Sequence, residues 1–279
     1  MSEEQQKYEV TKIEQCLVAG PLGVNISNEV YHALPGISSS NLSLLAESNR
    51  HLDNKHLFSV KSSSLDFGTL LHTMVLEPDE IEKRYVVMPK FDGRTNAGKA
   101  EKASFHADNG HKIVIEKDDF ERADKMARNI LAICGHIIEH GTKERSLFIA
   151  ADGLILKTRI DIDHQEEGDE YDLKSITLGT KDFSNATLEA HIKKYKYHWS
   201  AAFRNIVRNA LELPVRDNYL IFCNTGPGHM VRMIRLNKDW IAQAELEIKE
   251  LLDSRRFYLA SNVDIPVAEI DDRYRLLNT

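Results

Sequence analysis

Arg159-Ile160-Asp161-Ile162-Asp163 and, beyond an acidic turn at residues 165–170, Tyr171-Asp172-Leu173-Lys174-Ser175 decide how this chain is read. Residues 154–162 alternate apolar with polar side chains, and residues 171–176 form a second short run, so the two read as a strand pair. A strand repeats every two residues, which places Asp161, Ile162 and Asp163 on alternating faces. The same period puts Asp172 and Lys174 on one face, with Leu173 turned to the core. Two carboxylates and an ammonium group therefore meet at the edge of the pair. Carboxylate oxygens are ligands that Mg²⁺ prefers, alongside waters and phosphate oxygens. A lysine beside such an ion would orient an attacking water or help to deprotonate it. A surface hairpin with scattered charges has the same pattern, and an Asp-x-Lys triplet alone does not separate the two readings.

The bulk numbers narrow the class. A chain of 279 residues, 42% hydrophobic and 28% charged, suits one large soluble domain or two small ones. No stretch approaches the roughly 20 apolar residues of a membrane span, and the N-terminal text is not that of a signal peptide. Cys16, Cys134 and Cys223 lie far apart, which argues against a disulfide framework, a zinc ribbon or an iron–sulfur cluster. A reduced, cytoplasmic setting is expected. The net charge of −7 offers no overall basic footprint, so contact with nucleic acid would depend on local stripes and on metal ions.

Residues 1–20 read as a weakly ordered lead-in, and residues 21–279 as a single domain without internal repeats. The Ser38–Ser40 run precedes Leu42, Leu44 and Leu45, so one serine is expected to cap a helix. Within residues 64–76, Phe67, Leu70, Leu71, Met74 and Val75 share a buried helical face. Gly68 and His72 share another, where the glycine would admit a close backbone neighbour. A lone histidine on an apolar helix is ordinarily a satisfied core residue. Residues 90–99 read as a glycine-containing loop whose Arg94 and Lys99 are either solvated or a clamp on phosphates. Residues 118–139 form an amphipathic helix with Leu131 and Ile137 on its apolar side. A strand at residues 144–149 enters the hairpin.

Residues 188–211 carry the longest helical pattern, with Tyr195, Trp199, Phe203 and Ala210 on the core side. Lys193, Lys196, Ser200, Arg204 and Arg208 form a stripe opposite, suited to following a phosphate backbone or simply solvated. Two more strands flank Thr225-Gly226-Pro227-Gly228. Asn237 then caps a last helix over residues 238–255, expected to bury Trp240, Leu246, Ile248 and Leu251. This element order is that of an α/β sandwich with a central mixed β-sheet flanked by helices.

Arg-x-Asp, the acidic turn and Asp-Leu-Lys-Ser together resemble the core of the PD-(D/E)XK nucleases, in the branch of exodeoxyribonuclease VIII. The text Tyr31-His32-Ala33-Leu34-Pro35-Gly36-Ile37-Ser38-Ser39-Ser40-Asn41-Leu42 resembles the opening of that nuclease domain, so the likeness covers most of the chain. It implies a restriction-endonuclease-like fold. It also implies an Mg²⁺-dependent exodeoxyribonuclease that degrades linear double-stranded DNA from 5′ to 3′ and leaves 3′ overhangs for phage-type recombination. By the same likeness His72, on a Gly-x-x-x-His helix, joins Asp161, Asp172 and the Leu173 carbonyl as metal ligands, with Lys174 holding the water. Mn²⁺ could replace Mg²⁺. Glu144 is either a further neighbour of the metal or a strand-end surface charge. A homotetrameric ring and a single-strand annealing partner are implied as well.

This branch carries a Gln-x-x-x-Tyr pair on the helix after the lysine strand. Ser200 and Arg204 stand at those positions here, so a charge contact from Arg204 to a phosphate is expected instead. An endonuclease on the same core and a non-catalytic module for DNA ends are the alternatives.

Overall fold

The structure, a computed structural model, describes residues 22–24, 26–58, 63–178 and 182–264. The lead-in at residues 1–20 and the tail after Pro266 lie outside the described residues. The chain opens with β1 (Leu22–Val24), α1 (Asn28–Ala33), α2 (Leu42–Glu47), α3 (Asn49–Asp53) and α4 (Ser63–Leu76). There follow α5 (Ile81–Arg84), β2 (Tyr85–Met88), α6 (Asn96–Asp108), β3 (Ile113–Glu116) and α7 (Lys117–His140). The second half runs β4 (Thr142–Ala151), β5 (Leu154–His164), β6 (Asp169–Ile176), α8 (Asn185–Lys194) and α9 (Tyr197–Ala210). It closes with β7 (Asn218–Asn224), β8 (Val231–Arg235) and α10 (Lys238–Ser261).

A six-stranded sheet in the order β1-β4-β5-β6-β7-β8 forms the centre. Its neighbours are antiparallel except β6 and β7, which run parallel, so the sheet is mixed. The parallel pair needs a crossover, and α8 with α9 supplies it. Strands β2 and β3 form a separate parallel pair.

Helices cover both faces. On one, Phe203 and Val207 of α9 and Ile248 and Leu251 of α10 pack with Leu147, Leu156, Ile160, Leu220 and Phe222. On the other, Leu70 and Leu71 of α4 and Met126 and Ile130 of α7 pack with Ile162, Tyr171, Leu173 and Ile221. Each fully buried leucine or phenylalanine contributes about 1.5–3 kcal/mol, which is why alternation along β6 and β7 is strict. The layered α/β architecture expected from the sequence is therefore present.

Several local expectations are corrected. The helix pattern at residues 188–211 is two helices, broken where Lys196 adopts a left-handed backbone with φ of 53°. Residues 90–99 are a loop only as far as Thr95, whose hydroxyl caps α6 by accepting from the Gly98 N–H at 3.0 Å. Lys99 thus lies on a helix. Leu131, Tyr195, Leu246 and Ala210, assigned to core faces, are exposed. The capping expectations hold: Ser38 precedes a short 3-10 turn with a capping box to Asn41, and Asn237 caps α10.

The turn between β5 and β6 depends on Gly168. Its φ of +81° is in the left-handed region, and an added Cβ would meet the Pro214 carbonyl carbon at 2.9 Å. The Gly168 carbonyl also accepts from Arg208 at 3.2 Å and from the Arg216 N–H at 2.9 Å. Both the backbone conformation and the contact oppose a side chain. Gly168→Ala is expected to lower stability by about 1–3 kcal/mol. A fall in the urea midpoint at unchanged slope would show it.

Candidate metal centre

Strands β5 and β6 pair through Ile162↔Tyr171, Asp163↔Glu170 and His164↔Asp169, and separate beyond that point. At the fork the Asp161 side chain replaces the missing backbone partner, its Oδ2 accepting the Leu173 N–H at 2.8 Å. The neighbouring strand is distorted at the same level. Lys143↔Ile162 and Arg145↔Ile160 bracket Glu144 opposite Asp161, and Glu144 has a φ of 53°. A left-handed backbone at a residue that is neither glycine nor asparagine is sparsely populated and gathers at functional sites.

Helix α4 completes the fork. The His72 Nε2 lies 2.7 Å from the Leu173 carbonyl oxygen. A carbonyl can only accept, so Nε2 carries the hydrogen and Nδ1 keeps its lone pair. Nδ1 faces Asp161 Oδ2 at 3.6 Å. Burial, and then the charge of Lys174, holds the His72 pKa down to about 4, so the ring is neutral at pH 7. Gly68 is not required by backbone crowding: a Cβ there would meet Ser175 Oγ at an ordinary 3.7 Å.

On the α9 side, Lys174 Nζ donates to Asp172 Oδ1 at 2.6 Å. Arg204 donates from Nε to Glu170 Oε1 at 2.7 Å and from Nη2 to Asp172 Oδ2 at 3.5 Å. Arg208 pairs with Asp163, which Arg145 also reaches at 2.6 Å. Arg159 pairs with Glu144. Burial alone would raise the Asp172 pKa, but Lys174 and Arg204 overcome it and hold the carboxylate below its usual range. Lys174 follows the same logic in reverse: burial opposes its charge, and Asp172 and Asp161 keep it protonated. Asp161 differs. Burial and the negative Asp172 push its pKa well up, despite Lys174.

These residues fit a divalent cation. Single donor atoms of His72, Glu144 and Asp161 all lie within 4.8 Å of one another. A neutral imidazole with a free lone pair and a carboxylate that burial makes costly to ionise are what a bound cation would stabilise. Of the expected ligands, His72 and Asp161 belong to this trio, and Asp172 stands beside it in its pairs with Lys174 and Arg204. The Leu173 carbonyl is engaged by His72. Glu144, left open in the sequence, lies inside.

The expected cationic stripe does not form. Lys193 and Lys196 are exposed and Ser200 is half-buried, whereas Arg204 is 5% and Arg208 0% exposed. Helix α9 lies between the sheet and α10, so its presumed solvent face is a second interior face. Arg204 is therefore a partner of Asp172 rather than a free phosphate contact. Arg94 and Lys99 are exposed on the segment after β2. A signal for the arginines was present: β6 carries Asp169, Glu170 and Asp172 in a central strand, and buried carboxylates need cations.

Residues 38–258 match the family described as "PDDEXK-like domain of unknown function (DUF3799)". The chain belongs to that family and so carries a nuclease-type PDDEXK-like domain. A solved structure of a provisionally designated exonuclease from Eubacterium rectale has a similar fold, with a TM-score of 0.54 and 13% identity. The match covers 82% of this chain and 86% of that one. No curated protein matches the sequence.

Two substitutions test the electrostatics. Asp161 keeps its proton to a higher pH in the fold than in the unfolded chain, so the metal-free protein loses stability as pH rises through that raised value. Asp161→Asn retains an oxygen for the Leu173 N–H and removes the charge. Without metal it should melt above the parent at pH 7, the gap levelling off below about pH 3, where the carboxyl is protonated in both states. Added Mn²⁺ or Mg²⁺ should raise the melting temperature of the parent and not of the variant. Arg204→Ala leaves Glu170 buried without its cation and Asp172 with Lys174 alone, and should lower stability by about 3–5 kcal/mol. Chemical denaturation measures it; a loss under 1 kcal/mol, the range of an exposed pair, would contradict the buried network.

Proposed function

We propose that this protein is a metal-dependent exodeoxyribonuclease acting at the ends of linear double-stranded DNA. The observation that carries the reading is the fork itself. It joins Asp161 with its raised pKa, neutral His72, and the Asp172–Lys174 pair within one half-buried junction of a PDDEXK-like sheet. The donors are mostly carboxylate oxygens, which suits Mg²⁺, and the imidazole nitrogen suits Mn²⁺ as a substitute. His72, Asp161 and Glu144 would hold the ion, with Asp172 beside them. The chemistry it supplies there is neutralisation of charge at a phosphodiester and acidification of a water.

The chain's own groups do the rest. Lys174 is protonated, so it serves as a donor that positions a water or a phosphate oxygen rather than as a base. Asp172 aims that ammonium, and Arg204 keeps Asp172 ionised. His72 anchors the Leu173 carbonyl and so ties α4 to the strand that carries Asp172 and Lys174. The 5′-to-3′ polarity, the 3′ overhangs for phage-type recombination, a ring-shaped homotetramer and an annealing partner are supported by the resemblance to exodeoxyribonuclease VIII.

Nucleotide release from linear duplex, with closed circular duplex alongside, tests the proposal. Metal-dependent release from the linear form alone is expected. A nicked or cut circle would indicate an endonuclease, and no product from either a binding module. Duplex labelled at one 5′ end reads the polarity. Asp172→Ala and Lys174→Ala should each lower the rate by at least about 100-fold while the protein stays folded. Lys174→Ala should keep the stabilisation by added metal. Robust cleavage by folded Asp172→Ala would remove the site from consideration.

A further inference from the structure

The two tryptophans of the chain, Trp199 and Trp240, line one groove of roughly 550 Å³ between α9 and α10. Each indole is covered by a lysine ammonium. Lys196 Nζ lies 3.8 Å from the Trp199 ring centre, and Lys193 Nζ lies 4.3 Å from that of Trp240. His198 stands edge-on to Trp240 at 6.4 Å. Both lysines are exposed; Lys193 lies in the last turn of α8, and Lys196, with its left-handed conformation, in the α8–α9 turn. The same turn borders the metal centre. Tyr197, one residue on, has Lys174 Nζ 5.4 Å from its ring and stacks on Tyr195 at 5.9 Å. The α8–α9 junction therefore sets Tyr197 beside Lys174 and supplies the lysines over both indoles, Trp199 of α9 and Trp240 of α10.

We propose that this groove binds an unpaired nucleotide strand, with bases stacked on the outer faces of Trp199 and Trp240 and phosphates on Lys193 and Lys196. An exposed cation–π contact is weak, about 0.5–1 kcal/mol. A base stacked on an aromatic side chain contributes roughly 5- to 150-fold in affinity. A strand can thus displace each ammonium from its indole and receive it on a phosphate, exchanging one favourable contact for two. Stacking needs an exposed base face, which the interior of a duplex lacks. The ligand is therefore a single strand, such as one freed beside a duplex end. The origin of that strand rests on the nuclease reading; its binding does not. Glu247, which accepts from Gln243 at 3.1 Å, also lines the groove and opposes phosphate there.

Because both tryptophans lie in the groove, intrinsic fluorescence reports on this site. The full-length protein is titrated in chelator with an oligodeoxythymidylate of about ten nucleotides, within the range of single-strand sites. Saturable quenching is expected, with an affinity that falls as salt rises. An abasic oligomer of equal length and charge should bind at least roughly 5-fold more weakly and leave the emission unchanged. Lys193→Ala with Lys196→Ala should weaken binding and reduce the salt slope by about 1.4 at an unchanged melting temperature. Glu247→Gln should tighten it. Absence of quenching, or equal binding of the abasic oligomer or of a polyglutamate peptide, would overturn the proposal. Nucleotide release is assayed on the same preparation. Cleavage without quenching removes the groove alone, and quenching without cleavage removes the nuclease reading alone.

Discussion

The structure turns on a concentration of buried negative charge at one point in a sheet. Asp163, Asp169, Glu170 and Asp172 are all nearly inaccessible to solvent. An unpaired carboxylate in such surroundings is strongly destabilising, so each has an arginine or lysine within bonding distance. Arg145 and Arg208 meet Asp163, Arg216 meets Asp169, Arg204 meets Glu170, and Arg204 with Lys174 meets Asp172. Asp161 is treated differently. It is met by a backbone N–H and a neutral imidazole rather than by a paired cation, and burial together with the negative Asp172 raises its pKa. The protein has neutralised its structural acids and left one beside them under electrostatic stress. That residual demand for positive charge is the physical basis for a cation site here.

The backbone carries the same tension. Ile160 packs on the α9 side of the sheet, whereas Ile162, two residues on, packs on the α4–α7 side. Strict alternation would place both on one face. The reversal falls at Asp161, directly across from Glu144 and its left-handed φ. Strands β5 and β6 part at the same level, which opens the junction that His72 enters from α4. A regular sheet would have satisfied these backbone groups and closed the fork. The distortion has a price in strain of about 1–3 kcal/mol, and it brings side chains from three elements to one point.

Helix α9 shows how stability and site are joined. Its arginines lie on the sheet side, where they hold Asp172 and Asp163, and its reciprocal amide pair between Asn205 and Asn218, at 3.2 and 2.9 Å, fixes it to β7. A buried ion pair is weak evidence for net stability, because desolvation offsets much of the attraction. Its value here is positional. Arg204 and Lys174 bind the two oxygens of one carboxylate and so set its orientation.

Much of this was legible in the sequence. The hairpin pattern located Asp161, Asp172 and Lys174, and the period of two correctly set Asp172 and Lys174 on one face, because that alternation is a local property of the strand. The amphipathic pattern of α7 and the Asn237 cap of α10 are local too; the cap is present, and the α7 pattern holds except at Leu131, which is exposed. The spacing of Gly68 and His72 placed the histidine on a helix but not at the fork. That contact depends on α4 crossing β6, a pairing of residues 101 positions apart. Arg204 departs furthest from the sequence pattern. Helical period assigns it to a face away from the apolar one, and such a face ordinarily meets solvent. Only the tertiary packing, with the sheet on one side of α9 and α10 on the other, made that face interior. Sequence period determines which residues share a face; what the face meets is decided by the elements that close over it.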